Sequence, residues 1–281
     1  MSGGYKMVAL IKQVPDTSSK AGVNPDGTVD RARAKKMLNP FDKFALQKAL
    51  EIKKTHGGEI ICVSMGPPPA IEVLIDALEY GADKGYLLSD KRLAASDTLA
   101  TAYALHKVIQ YLGDVDIIFT GLQTTDGDTA QVGPQIAERL DLPQVTYLEK
   151  LELKDGALNC VRVIEGGTQE LEISLPALIT VANSASRLEP KLFSNVFATK
   201  ELQRNEEEIG KRIFRIDLDE IKADPRQAGL LGSPTVVGKT WKLGEIGGSC
   251  ITFKGDAASH SVELLVDRLV EDQRGIEEFV K

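Results

Sequence analysis

The chain has 281 residues, of which 42% are hydrophobic and 27% charged, and it carries a formal net charge of −7. This composition is typical of a globular protein, and the acidic balance argues against non-specific nucleic-acid binding, which needs clustered Lys and Arg. No apolar run approaches the roughly 18 residues of a membrane span, and the N-terminal residues lack a signal-peptide pattern, so the sequence predicts a cytoplasmic protein without a membrane span.

Short apolar runs alternate with helical patterns over the first half of the chain. The apolar runs that predict buried strands are 7–14, 59–65, 86–88 and 116–120. Helices should start at Asn39 and Asp97, because both residue types cap helix N-termini. This alternation predicts an α/β fold with a mostly parallel, doubly wound sheet, layered as in adenine-nucleotide hydrolases and flavodoxins. Ligands bind at the carboxyl ends of such strands.

The stretch from Asp116 to Leu140 is the centre of the pattern, because it joins a buried strand to an amphipathic helix through a loop rich in glycine and threonine. Such a loop offers backbone N–H groups and a helix dipole to a phosphate. Its glycines and potential phosphate donors are Gly121, Gly127, Gly133, Thr124, Thr125, Thr129 and Gln131. Asp126 and Asp128 would repel a phosphate, so we expect them to cap helix N–H groups or to accept from ribose hydroxyls. The plainer alternative is an Asp-Gly turn before a capped helix.

The texture of the sequence changes after Pro143. Alternating apolar and polar residues predict three antiparallel strands at one edge of the sheet, at 147–154, 158–164 and 168–175. A further buried strand is expected at 177–182, followed by an exposed polar excursion over 183–210. We therefore expect an α/β nucleotide-binding domain over 1–210. Residues 211–281 would form a C-terminal arm with a helix over about 257–272, and the apolar face of that helix should pack on the body or on a partner subunit.

The sequence offers no set of residues for covalent or metal chemistry. Cys62, Cys160 and Cys250 are too far apart to indicate a metal site or a disulfide framework. None of the three histidines stands beside a candidate nucleophile. We therefore name no catalytic residue and no metal ligand.

The whole chain resembles the β subunit of electron transfer flavoproteins. The motifs that carry the resemblance occur in family order: Lys12-Gln13-Val14-Pro15-Asp16, Asn39-Pro40-Phe41-Asp42, Val63-Ser64-Met65-Gly66-Pro67, Gly81-Ala82-Asp83, Leu87-Leu88-Ser89-Asp90, Asp97-Thr98-Leu99-Ala100-Thr101, Gly121 to Pro134, and Gly232-Ser233-Pro234-Thr235. The resemblance implies a heterodimer with an α subunit that holds one FAD. In ordinary members the β subunit binds a structural AMP. In the electron-bifurcating branch the same pocket holds a second FAD that accepts hydride from NADH.

The loop sequence DGDTAQVGP and the sequence DTLAT at 97–101 resemble the electron-bifurcating branch. That branch delivers electrons to the α-subunit FAD and a flavin dehydrogenase, of acyl-CoA or lactate type, and to a low-potential acceptor such as ferredoxin or flavodoxin. The residues to which the resemblance gives a cofactor-binding role are Leu10, Asn39, Pro40, Phe41, Asp42, Met65, Asp97, Thr98, Thr101, Thr124, Thr125, Asp126, Gly127, Asp128, Thr129, Ala130, Gln131, Val132, Gly133, Pro134 and Gln135. Leu10 and Met65 would line the adenosine, although both are also ordinary core residue types. Asn39 has the alternative role of a helix cap.

The chain departs from the family between Arg187 and Lys200. Typical members carry Asn-Glu-Pro-Arg and a Lys-rich run here, and the tip of this segment docks on an acyl-CoA dehydrogenase. Glu189-Pro190 is present, but the Lys run is missing. The resemblance therefore leaves the dehydrogenase open. Two other functions also remain: a β subunit with purely structural AMP, and a nucleotide-binding stress or signalling protein on a similar fold.

Overall fold

A computed structural model describes residues 4–16, 22–23, 29–30, 35–154, 156–236 and 251–279. The strands are β1 (Tyr5–Leu10), β2 (Gln13–Pro15), β3 (Gly22–Val23), β4 (Val29–Asp30), β5 (Lys36–Leu38), β6 (Gly58–Met65), β7 (Lys84–Leu88), β8 (Ile117–Gly121), β9 (Gln144–Lys154), β10 (Ala157–Ile164), β11 (Gly167–Ser174), β12 (Ala177–Val181) and β13 (Ile213–Ile216). The α-helices are α1 (Pro40–His56), α2 (Ile71–Tyr80), α3 (Thr98–Leu112), α4 (Val132–Leu140), α5 (Phe193–Gln203), α6 (Glu206–Gly210) and α7 (Ala258–Phe279).

Nine strands form one sheet in the order β11-β10-β9-β12-β8-β1-β6-β7-β13. Seven neighbouring strands of this sheet run parallel to one another, in the order β9-β12-β8-β1-β6-β7-β13. Strand β1 is central, with Met7 opposite Ile60 on β6 and opposite Ile117 on β8. The predicted fold class, a mostly parallel doubly wound sheet, is confirmed.

The core lies in two layers, one on each face of the sheet, because successive side chains of a strand point to opposite faces. Met7 and Ala9 of β1 pack with the layer that contains Leu46 of α1 and Leu74 of α2. Val8 of β1 packs with the opposite layer, which is built from α3 and α4. Because both faces are covered, the central strands are mostly apolar, and every residue of β8 and β12 is buried.

The predicted antiparallel edge is also present, since β9, β10 and β11 form a meander. Its inner face, which includes Leu148 and Leu158, joins the α1–α2 layer. The region 183–210, which the polar sequence indicated as an excursion, contains the helices α5 and α6. The polar sequence did not predict these helices, because little of their surface is buried.

The region after residue 210 contains more than an arm. Strand β13 pairs in parallel with β7 at the edge of the main sheet, and Leu218, Ile221 and Ala228 after it are buried in the α3–α4 layer. The chain divides into two compact units, Met1–Thr240 and Trp241–Lys281. Within the second unit, α7 carries the expected apolar positions, and the side chains of Val262, Leu265, Val266 and Leu269 are exposed.

Candidate functional site

The strand order reverses beside β1. The chain proceeds from β1 outward to β6 and β7, and then returns to form β8 on the other side of β1. At such a switch point the connections after neighbouring strands run to opposite faces of the sheet, and open α/β sheets bind their ligands in the crevice between them. The loop 122–131 after β8 and the residues 11–13 after β1 lie at this point.

Asn39 ties the start of α1 to the loop after β8. Its side chain is completely buried, donates from Nδ2 to the carbonyl of Gln123 over 2.8 Å, and accepts from the amide of Thr125 over 3.3 Å. Its own amide donates to the carbonyl of Lys12 over 2.9 Å. Asn39 does occupy the N-cap position of α1, but its side chain does not cap the helix amides. It instead fixes the backbone of the 122–131 loop.

Asp42 is a buried carboxyl in the first turn of α1, with 5% of its surface exposed. The amide of Lys12 donates to Asp42 Oδ2 over 2.7 Å. Burial raises the pKa of Asp42 from 3.8 to about 7, against the lowering effect of hydrogen bonds from Asn39 and Lys12. Gly121 makes this packing possible, because a Cβ there would lie 2.7 Å from the carbonyl carbon of Phe41 and 2.8 Å from the amide of Asp42.

The two carboxylates of the loop have partners within the protein. The ammonium of Lys12 lies 2.8 Å from both oxygens of Asp126, and Gln123 Nε2 donates to Asp128 Oδ1 over 2.8 Å. Partial burial opposes ionisation of Asp126, but the hydrogen bonds and charge of Lys12 outweigh it and hold its pKa below the usual range. Among the described residues no side chain caps helix α4, so the first of the two roles expected for these aspartates is not observed there, and acceptance from ribose hydroxyls stays a prediction.

The loop bends at residues other than glycine. Asp128 and Ala130 have positive φ angles of 51° and 54°, whereas Gly127 does not lie in that region. The left-handed Ala130 is followed by the right-handed Gln131, a succession that turns neighbouring N–H groups toward one concave side. Within the described part of the chain, the five amides from Thr129 to Gly133 have no hydrogen-bond acceptor. They form the amide cradle, a row of donors that ends at the N-terminus of α4.

The N-terminus of α3 meets this cradle. Asp97 caps α3 by accepting from the amide of Ala100 over 3.0 Å, as predicted. Thr98 donates from its hydroxyl to Gln131 Oε1 over 2.9 Å. Gln135 Oε1 is buried without a partner within the described residues, on a side chain whose Nε2 donates to Thr98 Oγ1 over 3.5 Å.

The remaining predicted site residues lie around the same crevice or beneath it. Leu10 is buried in the α3–α4 layer, against which Met65 packs half-buried. Thr101 is in the first turn of α3. Gly133 allows α4 to pack closely on the sheet, because a Cβ there would lie 2.9 Å from Thr120 Oγ1 and 3.0 Å from Thr180 Cγ2. Pro40 and Phe41 lie at the start of α1, and Val132 and Pro134 lie at the start of α4. Thr124 lies in the loop between β8 and α4.

Sequence reasoning missed three residues that shape the site. Lys12 and Gln123 were not expected to hold the loop aspartates. Thr235 donates from its amide and its hydroxyl to Asp97 Oδ2, over 3.1 and 2.7 Å. Burial opposes ionisation of Asp97, but the hydrogen bonds from the amide of Ala100 and from the amide and hydroxyl of Thr235 outweigh it and lower the pKa of Asp97. The motif that contains Thr235 was recognisable, but no local signal linked it to a helix cap 138 residues earlier.

A second surface lies on the segment 187–200. Phe193 is 84% exposed and Leu192 63% exposed, and the rings of Phe193 and Phe197 stack with their centroids 6.3 Å apart. Lys191 anchors this segment on α2 by ion pairs with Asp76 and, over 2.6 Å, with Glu79. An exposed apolar patch on an anchored segment is typical of a protein-binding surface.

Two absences apply to the described residues only. No helix there is both long and apolar enough to cross a membrane. No group of three or more His, Cys, Asp or Glu side chains in the same part of the chain could hold a metal ion.

The fold and the crevice define a doubly wound α/β protein with an amide cradle at its switch point. The family model described as "Electron transfer flavoprotein domain" matches residues 26–207. The chain is 39% identical over 269 residues to "Electron transfer flavoprotein subunit beta" of Thermoanaerobacterium thermosaccharolyticum, and the matched region covers 94% of this chain and 97% of that protein. It is 43% identical over 240 residues to "Protein FixA" of Sinorhizobium fredii, with 82% and 81% covered.

A third relative is "Acryloyl-CoA reductase electron transfer subunit gamma" of Anaerotignum propionicum, which is 36% identical over 272 residues, or 95% of this chain and 98% of that protein. Because the family model matches more than half of the chain and these relatives match over most of their length, the chain belongs to the electron transfer flavoprotein family, as a β subunit.

Proposed function

We propose that the chain binds FAD in the amide cradle and acts as the β subunit of an electron-bifurcating heterodimer with an electron transfer flavoprotein α subunit. In this proposal NADH would be the hydride donor to the bound FAD, and the recipients of the electrons would be the α-subunit FAD with its dehydrogenase and a low-potential acceptor such as ferredoxin or flavodoxin. The observation that carries the proposal is the row of five amides, Thr129 to Gly133 at the start of α4, for which the described residues supply no acceptor.

The residues of the crevice fit a nucleotide. Anions are stabilised by backbone N–H groups at a helix N-terminus, where the dipole adds to the hydrogen bonds. Lys12 and Gln123 already donate hydrogen bonds to the carboxylates of Asp126 and Asp128. These carboxylates therefore compete less with a phosphate for the cradle amides. FAD supplies the hydride and electron-transfer chemistry when bound. The chain would hold the pyrophosphate with the cradle amides and accept one ligand hydrogen bond at Gln135 Oε1.

FAD is favoured over AMP by the extent of the donor row and by the small residues beside it. A row of five consecutive amides extends along the loop, and the two phosphate groups of a pyrophosphate offer it more acceptor oxygens than the single phosphate of AMP does. A Cβ at Gly127 would meet Thr124 Oγ1 at 3.3 Å and no other atom of the described residues within 4 Å, so the glycine keeps this side of the loop open. A β subunit with structural AMP is the second candidate, and it would use the same cradle with a single phosphate.

The partner surfaces follow from the exposed apolar residues. We assign the segment 187–200 to the flavin dehydrogenase and the apolar face of α7 to the α subunit, because both present large apolar side chains on their surface. The name of the relative from Anaerotignum propionicum links it to an acryloyl-CoA reductase. This favours an acyl-CoA type of dehydrogenase for this chain over a lactate type.

Gly127→Glu tests the proposal, because it introduces bulk and negative charge beside the cradle. The purified heterodimer should lose the β-site FAD, keep the FAD of the α subunit and lose NADH-dependent bifurcation, as measured by flavin release on denaturation and by NADH oxidation. Gly167→Glu is the matched control, since a side chain there meets nothing within 4 Å and lies on the edge strand β11. A Gly127→Glu complex with two flavins and full NADH oxidation would remove the cradle as the nucleotide site.

A further inference from the structure

Lys12 is the residue that neutralises the nucleotide loop. The 122–131 loop carries two carboxylates, Asp126 and Asp128, and no Lys or Arg of its own. Its Asp128 is held by an uncharged amide, Gln123 Nε2. The carboxylate of Asp126 instead pairs with a full positive charge, because both of its oxygens lie 2.8 Å from Lys12 Nζ.

Backbone contacts fix Lys12 independently of this ion pair. Its amide donates to the buried Asp42 over 2.7 Å, and its carbonyl accepts from the amide of Asn39 over 2.9 Å. The same Asn39 holds the loop at Gln123 and Thr125. Because the backbone around Lys12 and the loop are both fixed without the ammonium group, removal of that group changes the charge of the loop more than its shape.

We infer that Lys12 is a specificity-determining residue for phosphorylated ligands: its ammonium cancels the charge of Asp126 and so permits an anionic group to occupy the adjacent amide cradle. This inference rests on the proposed nucleotide site and adds a role for a side chain that does not itself belong to the cradle. Without Lys12, the loop would present an unpaired carboxylate beside the phosphates. For like charges about 4 Å apart, the repulsion is about 1 kcal/mol in bulk water and larger near a protein surface, so we expect a loss of roughly fivefold to tenfold in affinity.

The test is a double-mutant cycle on the full-length chain, freed of bound nucleotide and titrated with AMP and with adenosine. Lys12→Met should weaken AMP binding about fivefold to tenfold at low salt, and high salt should reduce the loss because it screens exposed charges. Asp126→Asn should bind AMP at least as tightly as the unchanged protein. The double variant should recover most of the loss, because neither charge remains.

Adenosine separates the electrostatic role from a structural one, since it has no phosphate. Its affinity should stay within about twofold across the cycle, because the charge term that requires a phosphate is absent. Lys84→Met is the matched control: Lys84 forms a 2.7 Å ion pair with Glu59, is 41% exposed against 43% for Lys12, and lies at the amino ends of β6 and β7. This variant makes the same change in net charge and should leave AMP affinity unchanged.

The outcomes distinguish the inference from the proposed function. An unchanged protein that binds neither AMP nor FAD would overturn the proposed function. A protein that binds AMP normally and is insensitive to Lys12→Met would overturn the inference alone. Equal losses for AMP and adenosine, or failure of Asp126→Asn to rescue Lys12→Met, would mean that Lys12 acts by holding the loop in place, and would also overturn the inference.

Discussion

Asp42→Asn should change how the stability of the chain depends on pH. The carboxyl of Asp42 is 5% exposed, and burial raises its pKa from 3.8 to about 7. The folded chain therefore binds a proton more tightly than the unfolded chain does. The contribution of this carboxyl to stability is greatest below pH 4 and is lost as the pH rises toward its folded-state pKa of about 7. The interval between the two pKa values corresponds to about 4 kcal/mol.

An asparagine at position 42 cannot ionise, so this loss should disappear in the variant. The free energy of unfolding of Asp42→Asn relative to the unchanged protein should rise by up to about 4 kcal/mol between pH 4 and pH 8. Any constant cost of the lost second oxygen cancels in this comparison. Urea denaturation of both full-length proteins across that pH range measures the difference.

Asp126→Asn is the control for this experiment. The pKa of Asp126 is lowered mainly by Lys12 against the opposing effect of burial, so its carboxyl is ionised in both states between pH 5 and 8. The stability difference for this variant should be flat over that range. A flat difference for Asp42→Asn as well would refute the reasoning that burial controls the Asp42 carboxyl.

Two further predictions concern the partner surfaces. Leu192→Ala combined with Phe193→Ala should raise the KM for the dehydrogenase about tenfold, because truncating apolar interface anchors typically costs more than 1 kcal/mol. Bound flavin should be unchanged, and loss of flavin with normal coupling to the dehydrogenase would reverse the assignment. Leu265→Asp combined with Leu269→Asp should weaken the heterodimer by placing charges on the apolar face of α7, as measured by analytical ultracentrifugation. An intact heterodimer in that assay would mean that α7 does not contact the α subunit.

The sequence predicted the sheet well because its central strands are buried on both faces. Continuous apolar runs such as Ile117 to Phe119, between two helical patterns, are typical of a strand buried on both faces. The helix starts at Asn39 and Asp97 were also predictable from neighbouring residues, since Pro40 is a favoured first helical residue and Asp97 caps α3. Strand β13 was not predicted, because its four residues are flanked by charged residues and are recognisable as a strand only beside β7.

The site was less predictable, because its main contacts join residues far apart in sequence. Lys12 follows the first strand and contacts Asp126, 114 residues later. Asn39 was expected to cap its own helix, but its buried amide makes longer-range bonds to the 122–131 loop. The bends of that loop fall at Asp128 and Ala130, and composition favoured the neighbouring glycine because glycine adopts positive φ at little cost.

The nucleotide content of the native heterodimer tests the central claim most directly. The complex should be purified without added nucleotide and denatured, and the released cofactors should be quantified by chromatography and mass. We predict two FAD and no AMP for each heterodimer, one FAD from each subunit. One FAD and one AMP would contradict the assignment of FAD to the cradle and support a structural nucleotide, and a β subunit that contributes no nucleotide would contradict the account of the site.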